Sequence, residues 1–97
     1  MEFDRTSHNF GSIIKDVPVE TIFVVTNTSS SILMINSVER QCGCTTPVYS
    51  TDPIPAGQKD TITIGYNAAT LGSFTKKVTV KTNFGNTDLF IKGTVDY

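Results

Sequence analysis

Apolar side chains in this sequence recur at every second residue, and nowhere at the spacing of a helix. Ile62, Ile64 and Tyr66 alternate with Thr61 and Thr63. A pleated strand sends successive side chains to opposite faces, so such a run reads as a strand with one buried face. The pattern repeats along the chain. His8 to Ile14 is a short strand with Phe10 as its expected core residue. In Val19 to Asn27, Phe23 and Val25 share one face, and Ile22 and Val24 the other. A strand apolar on both sides is expected to be central or to have its outer face covered. Ile32 to Val38 carries Leu33 and Ile35 in alternation. Phe74 to Thr82 points Phe74, Val78 and Val80 inward, and Leu89 to Val95 alternates Leu89, Ile91, Gly93 and Val95.

Turn residues punctuate these runs. Asn27 to Ser31 is a polar turn cluster, Pro53 to Gly57 a turn that no central strand could cross, and Asn83 to Asn86 a hairpin loop. Ala68 to Gly72 reads as a linker, and Gln41 to Tyr49, with Pro47 inside it, as irregular. About seven strands at roughly 8–12-residue spacing give an all-β, immunoglobulin-like antiparallel β-sandwich. A closed barrel is the alternative. The 97 residues make a single immunoglobulin-like domain, residues 1–97. A chain this long buries roughly 60–65% of its unfolded surface. There is no Trp, so the core has no strand-C indole.

Composition excludes several functions. A net charge of −1 offers no basic footprint for nucleic acid. Lys77 and Lys81 fall on the strand face opposite Val78 and Val80, beside Lys76, and read as a solvated edge that discourages aggregation. No apolar run approaches the ~20 residues of a membrane-spanning helix. Met1 runs directly into Glu2-Phe3-Asp4-Arg5, without the apolar stretch of a signal peptide. The protein is therefore cytosolic, or its leader has been removed.

The chemistry-bearing feature is Cys42-Gly43-Cys44-Thr45, which holds both cysteines. In an extended backbone the two side chains stand on one face, with Cα atoms at most about 6.6–7 Å apart, near the upper limit for a disulfide. Gly43 is expected to relieve this by adopting positive φ or a bulge. A bridge here closes a loop of about three residues and adds only about 1.6 kcal/mol by loop entropy. Four states are open to the pair: packed free thiols, which the spacing favours first; a disulfide formed in an oxidising compartment; a soft-metal site for Cu(I), with Met34 or His8 approaching; and a thiol–disulfide exchange pair with Arg40 as the nearby cation. Tetrahedral zinc lacks ligands, since Cys42, Cys44 and His8 are the only candidates. A Cys–His nucleophile would need His8, the single histidine, to meet the box. Asn27-Thr28-Ser29 matches a glycosylation acceptor. Tyr49, Tyr66 and Tyr97 are expected at the core edge with wet hydroxyls.

The order of motifs carries a resemblance. His8-Asn9-Phe10-Gly11 precedes Phe23-x-Val25-x-Asn27 and Leu33-x-Ile35. The box then precedes Ile54-Pro55-Ala56-Gly57, Phe74-x-Lys76-x-Val78-x-Val80-x-Thr82-Asn83 and Ile91-x-Gly93-x-Val95. This resembles the bacterial domain-of-unknown-function family fifteen seventy-three, common in secreted and lipid-anchored proteins of Bacteroidetes. That family is similar to the immunoglobulin-like modules of the major sperm protein and ASH group. Where the family often has Gly after Asn27, this chain has Thr28-Ser29-Ser30-Ser31. The resemblance implies a sandwich, an envelope or extracellular address, and no assigned activity.

The expectation is a non-catalytic structural or protein-interaction module of a bacterial envelope or secreted protein. Its address is periplasmic, outer-membrane-anchored or extracellular, with a lipid anchor upstream. A monomer with no cofactor is expected, and a protein or a carbohydrate as partner. The interaction loop centres on Gln41, Gly43, Thr45 and Pro47, with Asp52 to Gly57 beside it. The alternative is a copper or thiol-redox site at Cys42 and Cys44.

Overall fold

A computed structural model describes residues 1–97. The chain forms eight strands: β1 (Glu2–Phe3), β2 (Ser7–Ile14), β3 (Val19–Thr26), β4 (Ile35–Arg40), β5 (Thr45–Val48), β6 (Lys59–Tyr66), β7 (Gly72–Thr82) and β8 (Gly85–Asp96). They build two four-stranded sheets, ordered β1-β3-β6-β5 and β2-β8-β7-β4. No helix is long and apolar enough to cross a membrane. The architecture is an immunoglobulin-like β-sandwich.

Alternation explains the core. In β3, Phe23 and Val25 point inward on the same side as Ile62 and Ile64 of the neighbouring β6, Phe23 directly beside Ile62, and all four are fully buried. From the second sheet, Val78, Val80, Leu89 and Ile91 close over them. Burying such side chains stabilises a fold by about 1.5–3 kcal/mol each. Phe74 stacks on Tyr66 with ring centroids 4.1 Å apart, tying β7 to β6 across the sandwich. Gly93 makes room for that ring. A Cβ at position 93 would stand 2.8 Å from the Gly11 carbonyl and 3.1 Å from the Phe74 ring.

Several expectations need correction. Every strand pairing but one is antiparallel; β2 runs parallel to β8, so the second sheet is mixed. β1 is too short to show a period, and β5 lies where Pro47 and the box suggested irregular chain. Pro47 is tolerated because β5 is an edge strand, where a missing donor breaks no ladder on its outer side. The run expected at Ile32 to Val38 shifts to Ile35–Arg40, and Leu33 forms only an isolated bridge with Ile54. Of the two alternatives for β3 the central position holds, between β1 and β6, while its outer face is left open at Ile22, which is 50% exposed. Ala68 to Leu71 lie in the connection between β6 and β7, as expected, though Ala68 within it is fully buried. Phe10 is half-buried and packs on the core from its margin, its ring meeting His8 edge-on at 4.7 Å. Tyr97 is almost wholly exposed rather than at the core edge.

All four sheet edges are blunted. β1 has two residues, and β5 contains Pro47. β2 breaks register between Asn9 and Ser12, where Gly11 takes φ 71°. β4 breaks register between Ile35 and Ser37. Short, bulged or proline-bearing edges do not template further strands.

Candidate functional site

The box forms the crossover between the sheets. β4 ends at Arg40 in one sheet and β5 begins at Thr45 in the other. Residues 41–44 are a turn, not extended chain. Cys42 and Cys44 are joined by a disulfide, with Cα atoms 5.3 Å apart. That separation sits inside the usual span of a bridge, because the turn shortens what an extended backbone would stretch. Gly43 does not need positive φ here, and a Cβ at its position would meet nothing within 4 Å. The bend comes from the turn and its bonds, not from glycine's conformational freedom.

Those bonds hold the crossover from both sides. Arg40 Nη1 donates to the Thr45 carbonyl at 3.0 Å, spanning the box. Thr45 Oγ1 donates to the Cys42 carbonyl at 3.4 Å. The Asn67 amide donates to the Cys44 carbonyl at 3.0 Å, and the Lys77 amide to Gln41 Oε1 at 2.8 Å. Cys42 is half-buried, and Cys44 packs against the core margin. The sulfurs therefore join a turn that is already tied to β6, β7 and its own flanks.

Of the expected interaction loop, Gln41 and Gly43 are exposed and Pro47 is half-buried. Thr45 is fully buried, so it is not available to a partner; it faces inward because β5 starts there, opposite Tyr66 of β6. Val48, 62% exposed, was missed and lies in the same strand as Pro47. The parity of β5 alone would have found it, had the strand been visible.

The proposed extra ligands stand elsewhere. His8 is in β2, on the far side of β8 and β7 from β4, so three strand spacings of about 4.8 Å intervene. Its Nδ1 lies 3.5 Å from Arg5 Nη2. Met34 precedes β4 and the box follows it, a separation of about 20 Å for six residues. Neither completes a metal site or a Cys–His pair at the box. No group of three or more His, Cys, Asp or Glu side chains is gathered anywhere in the molecule.

Asn27 is not a sugar acceptor in the folded protein. It is fully buried, and its Nδ2 donates to the carbonyls of Ser31 (2.7 Å) and Ile54 (2.8 Å). Its Oδ1 accepts from the amide and hydroxyl of Ser29. The signal was present: Asn27 continues the inward parity of Phe23 and Val25. Arg5 was also missed. Its guanidinium lies 4.5 Å from the centroid of the Phe23 ring and donates to Thr21 Oγ1 at 2.7 Å. The buried polar side chains are Thr21, Asn27, Thr45 and Thr82, each engaged in a structural bond. The surface concavities are open to solvent; the largest, about 540 Å³, is lined mainly by Val19, Glu20, Thr46, Gly65, Tyr66 and Asn67.

Comparison with known proteins bears on this geometry. A family model described as "Protein of unknown function (DUF1573)" matches residues 1–95. A protein of unknown function from Porphyromonas gingivalis W83 superposes with a TM-score of 0.83 at 16% identity; the match covers 96% of this chain and 45% of that one. The human ASH/PapD-like domain 7 of CEP192 gives 0.82 at 8% identity, covering 98% and 84%. The Vibrio cholerae protease VesB gives 0.71 at 12% identity, covering 99% of this chain and 31% of its own. No curated protein matches the sequence. At these identities the likeness is one of fold.

Proposed function

We propose that this chain, which belongs to the DUF1573 family, is a non-catalytic interaction module of a bacterial envelope or secreted protein. One observation carries the reading: no acidic, basic or histidine side chain is buried, and the buried Thr21, Asn27, Thr45 and Thr82 are each committed to holding the fold. Acid–base or nucleophilic catalysis needs a polarised group sheltered from water. The family and the immunoglobulin-like fold are compatible with a structural or binding role. Disulfides persist in oxidising compartments, and the Cys42–Cys44 bridge supports an address outside the cytoplasm.

The partner surface is the crossover with its neighbour β5: Gln41, Gly43, Pro47 and Val48. Its backbone is fixed before any partner arrives, so binding there loses little loop entropy. The partner is a protein or a carbohydrate chain. A photo-crosslinking residue at Val48 should give one discrete adduct in the native envelope fraction. The same residue at Ser12, exposed on β2 at the edge of the other sheet remote from β4, should give none. Adducts of equal yield from both positions, or from neither, contradict the assignment.

A further inference from the structure

The chain enters and leaves the sandwich at opposite ends. The Met1 amino group donates to Thr28 Oγ1 at 2.8 Å, and its sulfur accepts from Thr82 Oγ1 at 3.8 Å. Thr82 pairs with Gly85, the first residue of β8. Tyr97 follows the last residue of β8, Asp96, which pairs with Ile14. The 12 residues of β8 separate the two levels by roughly 40 Å at 3.4 Å each. The molecule measures 48 × 21 × 17 Å, a rod with its termini at the tips.

Exposed apolar side chains concentrate at the same two tips. Of the ten large ones, only Ile22, Val48 and Phe90 lie along the sides. Ile32, Met34 and Phe84 crown the Met1 end, and Ile14, Val17, Leu71 and Tyr97 the Tyr97 end. The Met1 end is fixed by Asn83. Its amide donates to the Met34 carbonyl (3.2 Å), its Oδ1 accepts from the Met34 amide (2.8 Å), and its Nδ2 donates to the Ile32 carbonyl (2.9 Å). These bonds lock the segment bearing Ile32 and Met34 to the hairpin tip bearing Phe84. At the other end, Lys15 donates to Asp96, Asp16 to Ala68 and Val17 to Ile14 through the backbone. Lys15 and Asp16 pair at 2.8 Å, which leaves Asp96 as the exposed carboxylate at this end.

We propose that this sandwich is one unit of an end-to-end array. Ile32, Met34 and Phe84 pack on the preceding domain, and Ile14, Val17, Leu71 and Tyr97 on the following one, each neighbour being a second sandwich of this fold in the same polypeptide. The proposal rests on the module reading above. Chain continuing from either terminus would leave the sandwich beside one of these two patches. Blunted edges leave the sides unsuited to strand addition. More than half of the Porphyromonas neighbour lies outside the matched region, enough for another such domain. The size of the ends decides between tethered and free association. A 21 × 17 Å end offers on the order of 300 Å², so a contact buries about 600 Å² in total, the lower edge of interdomain interfaces within a chain. That is far below the ~1,600 Å² of a stable complex between separate proteins. The contact therefore holds in a tethered array, and the isolated 97-residue domain stays monomeric.

Hydrogen exchange read by mass spectrometry tests this on the natural polypeptide that contains the sequence and on residues 1–97 alone. Backbone exchange at residues 32–34 and 83–85, and at 14–17 and 70–72, should slow on the order of tenfold in the longer chain. In that chain, Met34→Ser with Phe84→Ser should restore fast exchange at the Met1 end and leave β6 protected. Equal exchange in the two contexts overturns the proposal, as does a natural polypeptide with no second domain. Protection that appears in residues 1–97 alone and rises with concentration also overturns it, by assigning the patches to separate copies. The adduct at Val48 is read independently of all these outcomes, so the array can fail while the module reading stands.

Discussion

Replacing Ile64 by Ala is expected to destabilise the fold by about 2–5 kcal/mol. Ile64 is fully buried, paired in register with Thr21 of β3 and Pro47 of β5, and part of the single core shared by the two sheets. The loss combines the transfer free energy of the removed methyl groups with the cavity left behind, since two hydrogen-bonded neighbours prevent β6 from collapsing inward. A domain of this size has about 5–15 kcal/mol in total, so the variant should show a clearly lowered urea midpoint. Phe74→Ala should fall in the same range, because it also removes the stack on Tyr66. Ile22→Ala is the control: half in solvent on the outer face of β3, it should cost within about 0.5 kcal/mol.

The second large effect is expected at Asn27. Asn27→Asp keeps the shape and reverses the chemistry. Both Nδ2 donors vanish, and an oxygen is brought against the carbonyls of Ser31 and Ile54. A buried carboxylate facing acceptors should cost at least about 3 kcal/mol at pH 7. Protonation restores one donor, so the folded state of the variant favours the neutral acid. Its stability deficit should then be smallest near about pH 3 and grow as the pH rises through the carboxylate range. Asn27→Leu removes the donors without adding charge. The Ile54 carbonyl still accepts from the Leu33 amide, and the Ser31 carbonyl from Ser29 Oγ. Its cost should be about 1–3 kcal/mol and independent of pH. Chemical unfolding of both variants across pH separates the two effects. A pH-independent loss in Asn27→Asp would refute the buried clamp.

The long strands were legible because alternation over eight or more residues has no competing reading. β3, β6, β7 and β8 are such runs, and their inward residues are the core. Legibility failed where an element is too short to repeat its period more than once or twice. β1 has two residues, and β5 has four, one of them Pro47. It failed again where pairing depends on distant chain: nothing local in Ser7 to Ile14 says that its partner is β8, or that the two run parallel. At the box, the residues were visible but the backbone was not. The extended geometry assumed for Gln41 to Thr45 made Gly43 the apparent device, whereas the turn is set by Arg40, Asn67 and Lys77, two of them far along the chain. Asn27 was read as a turn residue and a sugar acceptor, although its parity with Phe23 and Val25 already placed it inside.

The central claim is that packing holds the sandwich, while the Cys42–Cys44 bridge shapes a binding surface. The most direct test is urea unfolding of the bridged protein beside the Cys42→Ser/Cys44→Ser variant, with the Val48 adduct measured in both. The bridge closes a loop of about three residues, so its loss should cost about 1–2 kcal/mol with an unchanged m-value, while the adduct yield falls. A variant that fails to fold would make the bridge a staple of the core. A variant that folds and gives the full adduct would show that the bridge does not shape the surface.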